Sequence, residues 1–188
     1  FVLLSGRVNI CKPGPRGQQQ IIAVINPVIM FNEVAVLDGG PNPVLALAVE
    51  DSVTWSIGCQ DFHDLLWRYP QIGLGLLPIL AARNRILIEH YEDISYRSVL
   101  GRTAKLLMEL TDGGKTPVSR REHTVEHMAA LIGSGREPVS RALRFLRESG
   151  IITASRGAIN VAAPADLAQL AHVEHAAALD RTDALDPH

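Results

Sequence analysis

The side chains best suited to chemistry in this 188-residue chain are Arg136, Glu137, Ser140, Arg141 and Arg144. At 3.6 residues per turn they share one side of a helix. Their types match what duplex DNA presents. An arginine fork fits guanine, a glutamate accepts from the cytosine amino group, and serine and further arginines hold phosphates. Other reactive types lack partners. His123 and His127 are four apart with no third ligand, and His172 and His175 share a helix face in an Ala-rich stretch. Cys11 and Cys59 cannot supply four ligands to an iron–sulfur cluster. They fit reduced thiols of an intracellular protein, with a disulfide between them left open. No metal, no cofactor and no enzyme activity is expected.

The basic face needs elements to aim it, and the flanking sequence supplies them. Thr124 can N-cap a helix whose Val125, Met128, Ala129 and Ile132 repeat on one apolar face. Gly133-Ser134-Gly135 then breaks that helix, because glycine accepts positive φ. Arg136 opens a second helix with Val139, Leu143 and Leu146 inward, and Pro138 is tolerated in its first turn. From Ile151 to Val161 two β-prone runs flank Arg156-Gly157, which reads as a hairpin tip that carries Arg156 to phosphate. A solvated basic face would account for the arginines alone. The glycine turn, the apolar spacing and the hairpin together point to a winged helix-turn-helix whose second helix enters the major groove.

The run GREPVSRALRFLRESGII, followed by a wing, resembles the DNA-binding domain of the cyclic-AMP receptor protein / fumarate–nitrate regulator (CRP/FNR) family. In that family an Arg-Glu-x-Val-x-Arg sequence opens the recognition helix, and Arg136, Glu137, Val139 and Arg141 stand in those places. The resemblance implies that Arg136, Glu137 and Arg141 read bases. Two positions depart from it. Gly135 stands where relatives often carry Ser, with Ser134 one place early, and Val125 replaces a frequent polar phosphate contact.

The first 57 residues read as short β-prone runs, Phe1–Leu4, Arg7–Ile10, Gln20–Ile25, Leu45–Val49 and Ser52–Ile57, separated by Gly, Pro and Asn clusters. This predicts a small barrel, sandwich or roll. The chain opens inside a strand and without Met, so the natural start is expected upstream. Here too the family is recognisable. Leu3-Leu4-Ser5-Gly6-Arg7-Val8 resembles the entry to a cyclic-nucleotide-binding roll, and Phe31-Asn32-Glu33-Val34-Ala35-Val36-Leu37 occupies the place of its phosphate cassette. The resemblance implies an effector pocket at Glu33, Asn32, Pro43 and Val44. Of the family's ribose-holding Glu and phosphate-holding Arg-Ser pair only Glu33 remains. Asn32 replaces a Gly, and Pro43-Val44 stand at the Arg-Ser positions. Proline and valine offer no charge-assisted donor, and burying an anion without one costs several kcal/mol. No cyclic-AMP binding is therefore expected. Glu33 itself would serve either as a structural carboxylate or as a contact to another ligand.

Asp61–Tyr69 reads as a short amphipathic helix ending at Pro70, and 72–98 as a long one. In the latter Leu80, Asn84, Leu87, Tyr91 and Ile94 repeat at alternating four- and three-residue steps, the seam of a coiled coil in which one Asn fixes register. Dimerisation through this helix is the expectation, shared by the resemblance, and a pair of recognition helices would read an inverted repeat. Val99-Leu100-Gly101-Arg102 resembles the family's hinge. Thr103–Thr111 would be the first helix of the DNA-binding domain, Pro164–Leu179 a later helix and Asp180–His188 an acidic tail.

The predicted class is α+β: an N-terminal β-roll (1–72), a central dimerisation helix (73–98) and a C-terminal winged helix-turn-helix (99–188). The net charge of −2 conceals a division. Residues 99–160 carry ten Lys/Arg against six Asp/Glu, a net +4, where phosphate contacts need it. The longest apolar segment, near Leu74–Leu80, is interrupted by Gly75 and Pro78, so no membrane span is expected. No signal peptide is visible, which fits a cytoplasmic protein. The expected function is a homodimeric, sequence-specific transcription regulator with duplex DNA and RNA polymerase as partners. The alternative is the same fold acting as a ligand- or haem-dependent sensor, for which His63, His90 and Cys11 are the available axial ligands.

Overall fold

The computed structural model describes residues 1–15, 17 and 19–172. They fall into two compact units, Phe1–Ile88 and a second beginning at Glu89.

The first unit is built from two three-stranded antiparallel sheets. β1 (Val2–Ser5) lies between β4 (Ile29–Met30) and β6 (Val53–Trp55). β2 (Val8–Pro13) lies between β3 (Gln19–Ile25) and β5 (Leu45–Ala48). Alternation along the strands turns Leu3, Val8, Ile10 and Ile25 inward, where they meet Phe31 in a small core. Gly6 joins the two sheets at φ 87°, and a Cβ there would lie 2.3 Å from Ser52 Oγ, so only glycine fits. After β4 comes a six-residue helix, α1 (Glu33–Asp38), which has no counterpart among the expected elements. Its N-cap Asn32 has φ 60°. Asparagine tolerates this left-handed conformation better than other non-glycine residues. α2 (Cys59–Arg68) buries Phe62, as its amphipathic pattern predicts.

α3 (Pro70–Tyr96) is a continuous helix of 27 residues. Pro70 sits at its start, and Gly75 and Pro78 do not interrupt it. The expectation that no stretch approaches a membrane-spanning run is therefore corrected. α3 is long and apolar enough by length and composition, with a mean hydropathy of 1.2 in its best window. None of its residues is buried.

In the second unit, α4 (Val99–Leu110) starts earlier than predicted. Ser98 caps it, its Oγ accepting from Gly101 N at 3.2 Å, so Val99–Arg102 forms the first helical turn rather than a hinge. The break in the helical run lies at Arg97-Ser98. Asp93 secures both sides of it, pairing with Arg97 Nε at 2.6 Å and with Lys105 of α4. α5 (Val125–Leu131), α6 (Arg136–Glu148) and the sheet β7 (Val118–Ser119), β9 (Ala158–Val161), β8 (Ile152–Ala154), in that spatial order, complete the unit. Leu107, Met128, Val139, Leu146, Ile152 and Leu167 are the fully buried centre of its core. Residues 164–172 are helical. The remainder of the predicted Pro164–Leu179 helix, His175 and the acidic tail lie outside the described residues.

Candidate nucleic-acid interface and roll cavity

α5 and α6 take the predicted helix-turn-helix form. Thr124 Oγ1 accepts from His127 N at 3.1 Å and so caps α5. Met128, Ala129 and Ile132 are buried, with Val125 half-buried beside them. Of the two turn glycines only Gly133 uses its freedom, at φ 62°. Gly135 has φ −83° and is the N-cap of α6, where it supplies no side-chain bond. The family's Ser would cap here, and its absence leaves the first N–H groups of α6 without that partner.

α6 separates its faces sharply. Val139, Ala142 and Leu146 are buried, while Arg136, Glu137, Arg141 and Arg144 are exposed and Ser140 is half-buried. The sequence thus brings a strip of three guanidinium groups, a carboxylate and a hydroxyl to the surface on a helix fixed from behind by the core. Arg136 Nε pairs with Glu126 Oε1 of α5 at 2.5 Å. His123 and His127 stack at a centroid separation of 5.3 Å, and His127 Nδ1 lies 3.0 Å from Glu122 O. Among the described residues no group of three or more metal-ligating side chains surrounds them.

The hairpin forms with Ala154 opposite Ile159 and Ser155-Arg156-Gly157 at its tip. Ser155 Oγ accepts from Gly157 N at 3.3 Å and Ala158 N at 3.1 Å, stitching the tip closed, and Arg156 is exposed there. One basic residue escaped the sequence reading. Arg120 donates from Nη1 to Ser155 O at 3.1 Å, and its backbone N–H bonds Gly157 O at 3.0 Å. β7, only two residues long, brings it there by pairing with β9, and a strand so short leaves almost no periodic signal.

In the first unit, Asn32 and Val44 line a cavity of about 590 Å³ between the sheets, together with Phe31, Asn42, Ser52 and Thr54. Its polar lining is uncharged. Glu33 is 6% exposed and pairs with Arg83 of α3, whose second terminal nitrogen donates to Met30 O. Pro43 is exposed, and its carbonyl accepts from Lys12 Nζ at 2.7 Å. The four predicted pocket residues therefore divide: Asn32 and Val44 face the larger cavity, Glu33 lines an adjoining one of about 240 Å³ and is held by Arg83, and Pro43 lies outside both. His63 Nε2 lies 2.5 Å from Val36 O, and Cys11 is buried in β2 with its thiol pushed up from the usual range by burial. The predicted seam residues Asn84, Leu87, Tyr91 and Ile94 are exposed along α3, and Leu80 is half-buried.

Comparison with known proteins agrees with both units. A cyclic nucleotide-binding domain family model matches residues 1–69, and a Crp-like helix-turn-helix domain model matches residues 101–170. The cyclic AMP receptor protein of Thermus thermophilus is 30% identical over 171 residues, covering 91% of this chain and 78% of that protein. A CRP-like cAMP-activated global transcriptional regulator of Mycobacterium tuberculosis is 29% identical, covering 81% and 70%. The solved structure of a crp/fnr-family transcriptional regulator from Eubacterium rectale superposes with a TM-score of 0.75 at 21% identity, covering 91% of this chain and 79% of that one.

Proposed function

This chain belongs to the CRP/FNR family of DNA-binding transcription regulators, and we propose that it acts as a homodimer reading an inverted repeat without answering to cyclic AMP. The observation that carries the reading is the outward strip on α6, backed by a fully buried apolar face. Arg136, Glu137 and Arg141 read base edges. Ser140, Arg144, Thr124 and the wing's Arg156 contact phosphates, with Arg120 beside Arg156 adding to the clamp. RNA polymerase is the partner through which such a regulator acts, and DNA as target places it in the cytoplasm.

Dimerisation is supported by α3. Its exposed Leu77, Leu87, Tyr91 and Ile94 form an apolar stripe that water would otherwise cover. The alternative for so apolar a helix is a bilayer, but Arg83, Asn84 and Arg85 stand at its middle, where charges are costly in hydrocarbon. The central helix (73–98) then pairs two roll domains (1–72) and two DNA-binding domains (99–188). Leu87→Asp tests this. It should convert dimer to monomer in sedimentation and abolish the preference for paired over single half-sites. A variant that stays dimeric would remove the seam from the account.

Three features support indifference to cyclic AMP. Pro43 and Val44 lack side-chain donors, the cavity lining is uncharged, and Glu33 is already engaged by Arg83. The haem reading draws less support, since His63 is bonded to Val36 O and Cys11 is buried, which leaves His90 of α3 as the remaining candidate of the three.

A further inference from the structure

Arg136 is the first helical residue of α6, and its one ion pair among the described residues is made through Nε, on the side of the guanidinium, to Glu126. Both side chains are strongly exposed, 72% and 61%, so the pair adds little to folding. Nor does a carboxylate on α5 help electrostatically, since any duplex docked on α6 brings phosphates toward both helices. A pair that neither stabilises the fold nor attracts the ligand calls for another role.

We infer that Glu126 is a positioning residue that orients Arg136 for guanine. This rests on the reading of Arg136 as a base reader. A carboxylate held on Nε leaves the terminal nitrogens Nη1 and Nη2 as the pair that can meet O6 and N7 of guanine in the plane of the base. An unrestrained arginine at the start of a helix samples many rotamers, and each must be surrendered on binding. Glu126 removes part of that cost beforehand and biases the fork against phosphate, the competing anion within reach. The ordinary account of Glu126 is a first-turn acidic residue that complements the α5 dipole. That account predicts no effect on sequence preference.

The experiment measures affinities of the full chain and of Glu126→Gln, Arg136→Ala and the double variant. Each is titrated with the duplex preferred by wild type and with duplexes changed one base pair at a time. Glu126→Gln should bind unrelated duplexes as well as or better than wild type, because a charge facing phosphate has gone. Its discrimination at one base pair should fall about five-fold, the scale of one weakened hydrogen-bonded contact. Arg136→Ala should lose discrimination at that same base pair, and the double variant should lose no more than Arg136→Ala alone. Glu126→Gln raising affinity for every duplex with discrimination unchanged would overturn the proposal and leave Glu126 a helix-dipole residue. Discrimination unchanged in Arg136→Ala would instead overturn the underlying reading of Arg136, and the proposal with it. Loss in the double variant beyond that of Arg136→Ala would show Glu126 acting through another residue, which also overturns it.

Discussion

Addition of cyclic AMP is the most informative perturbation of the roll. A functional site must meet the cyclic phosphate with a charge-assisted donor, an interaction of about 1.5–3 kcal/mol. Here Val44 lines the cavity without a side-chain donor and Pro43 lies outside it, and a partly desolvated phosphate without a partner costs a further 1–3 kcal/mol or so. Taken together the deficit is about 4 kcal/mol, or roughly a thousand-fold in affinity. A site that would otherwise bind at about 10 μM would bind at about 10 mM. At 1 mM nucleotide the former stabilises the fold by about 2.7 kcal/mol and the latter by about 0.1 kcal/mol. For a chain of this size the difference is about 6–10 °C in Tm against no visible shift. Thermal denaturation with and without 1 mM cyclic AMP reads this directly, and no shift is expected. Val44→Arg, at the position that lines the cavity, returns a charge-assisted donor there and should produce a saturable shift. A saturable shift of several degrees in the unmodified protein would mean that the roll holds the nucleotide through other donors.

Other outcomes follow from the same geometry. Arg136→Ala should weaken binding to the preferred duplex by about 1–3 kcal/mol and relax preference at one base pair, whereas Arg156→Ala should weaken all duplexes alike and lower the salt slope by about one; equal losses across sequences for Arg136→Ala would make it a phosphate contact. Leu146→Ala, at a position with 0% exposure, should cost about 3 kcal/mol in chemical denaturation, and a loss below about 1 kcal/mol would mean that the α6 core is looser than described. A maleimide at neutral pH should modify the exposed Cys59 and spare Cys11, because burial raises the Cys11 thiol above its usual range and reduces its thiolate. Both should react after unfolding, and equal rates in the native protein would contradict the buried placement.

The helix-turn-helix was legible because three independent signals coincide within 30 or so residues: a capping Thr124, an apolar repeat that changes phase at Gly133, and turn chemistry at Arg156-Gly157. Strands β1, β2 and β3 were legible for a similar reason, with Gly, Pro or Asn at their ends, and β5 and β6 from their β-prone composition. What escaped was short or depended on distant partners. β4 and β7 have two residues each, too few for a period. α1 follows an asparagine whose left-handed conformation no local pattern announces. Resemblance alone marks Val99–Arg102 as a hinge, yet Gly101 lies buried within a helix that Ser98 caps. The long helix was legible, but Gly75 and Pro78 suggested an interruption of its apolar run that α3 does not show. At the site, spacing located Arg136, Glu137 and Arg141 but could not show that Glu126 meets Arg136, nor that Arg83 meets Glu33 from 50 residues away. Those are contacts between elements, fixed by packing rather than by periodicity.

On the function proposed above, two α6 helices read DNA as a symmetric pair without an added nucleotide. A binding selection from random duplexes, with purified protein, no cyclic nucleotide and moderate salt, tests it most directly. Enrichment of an inverted repeat with half-sites about one helical turn apart is expected. Salt-sensitive binding with no enriched sequence, turning into an enriched inverted repeat only when cyclic AMP is added, would contradict it.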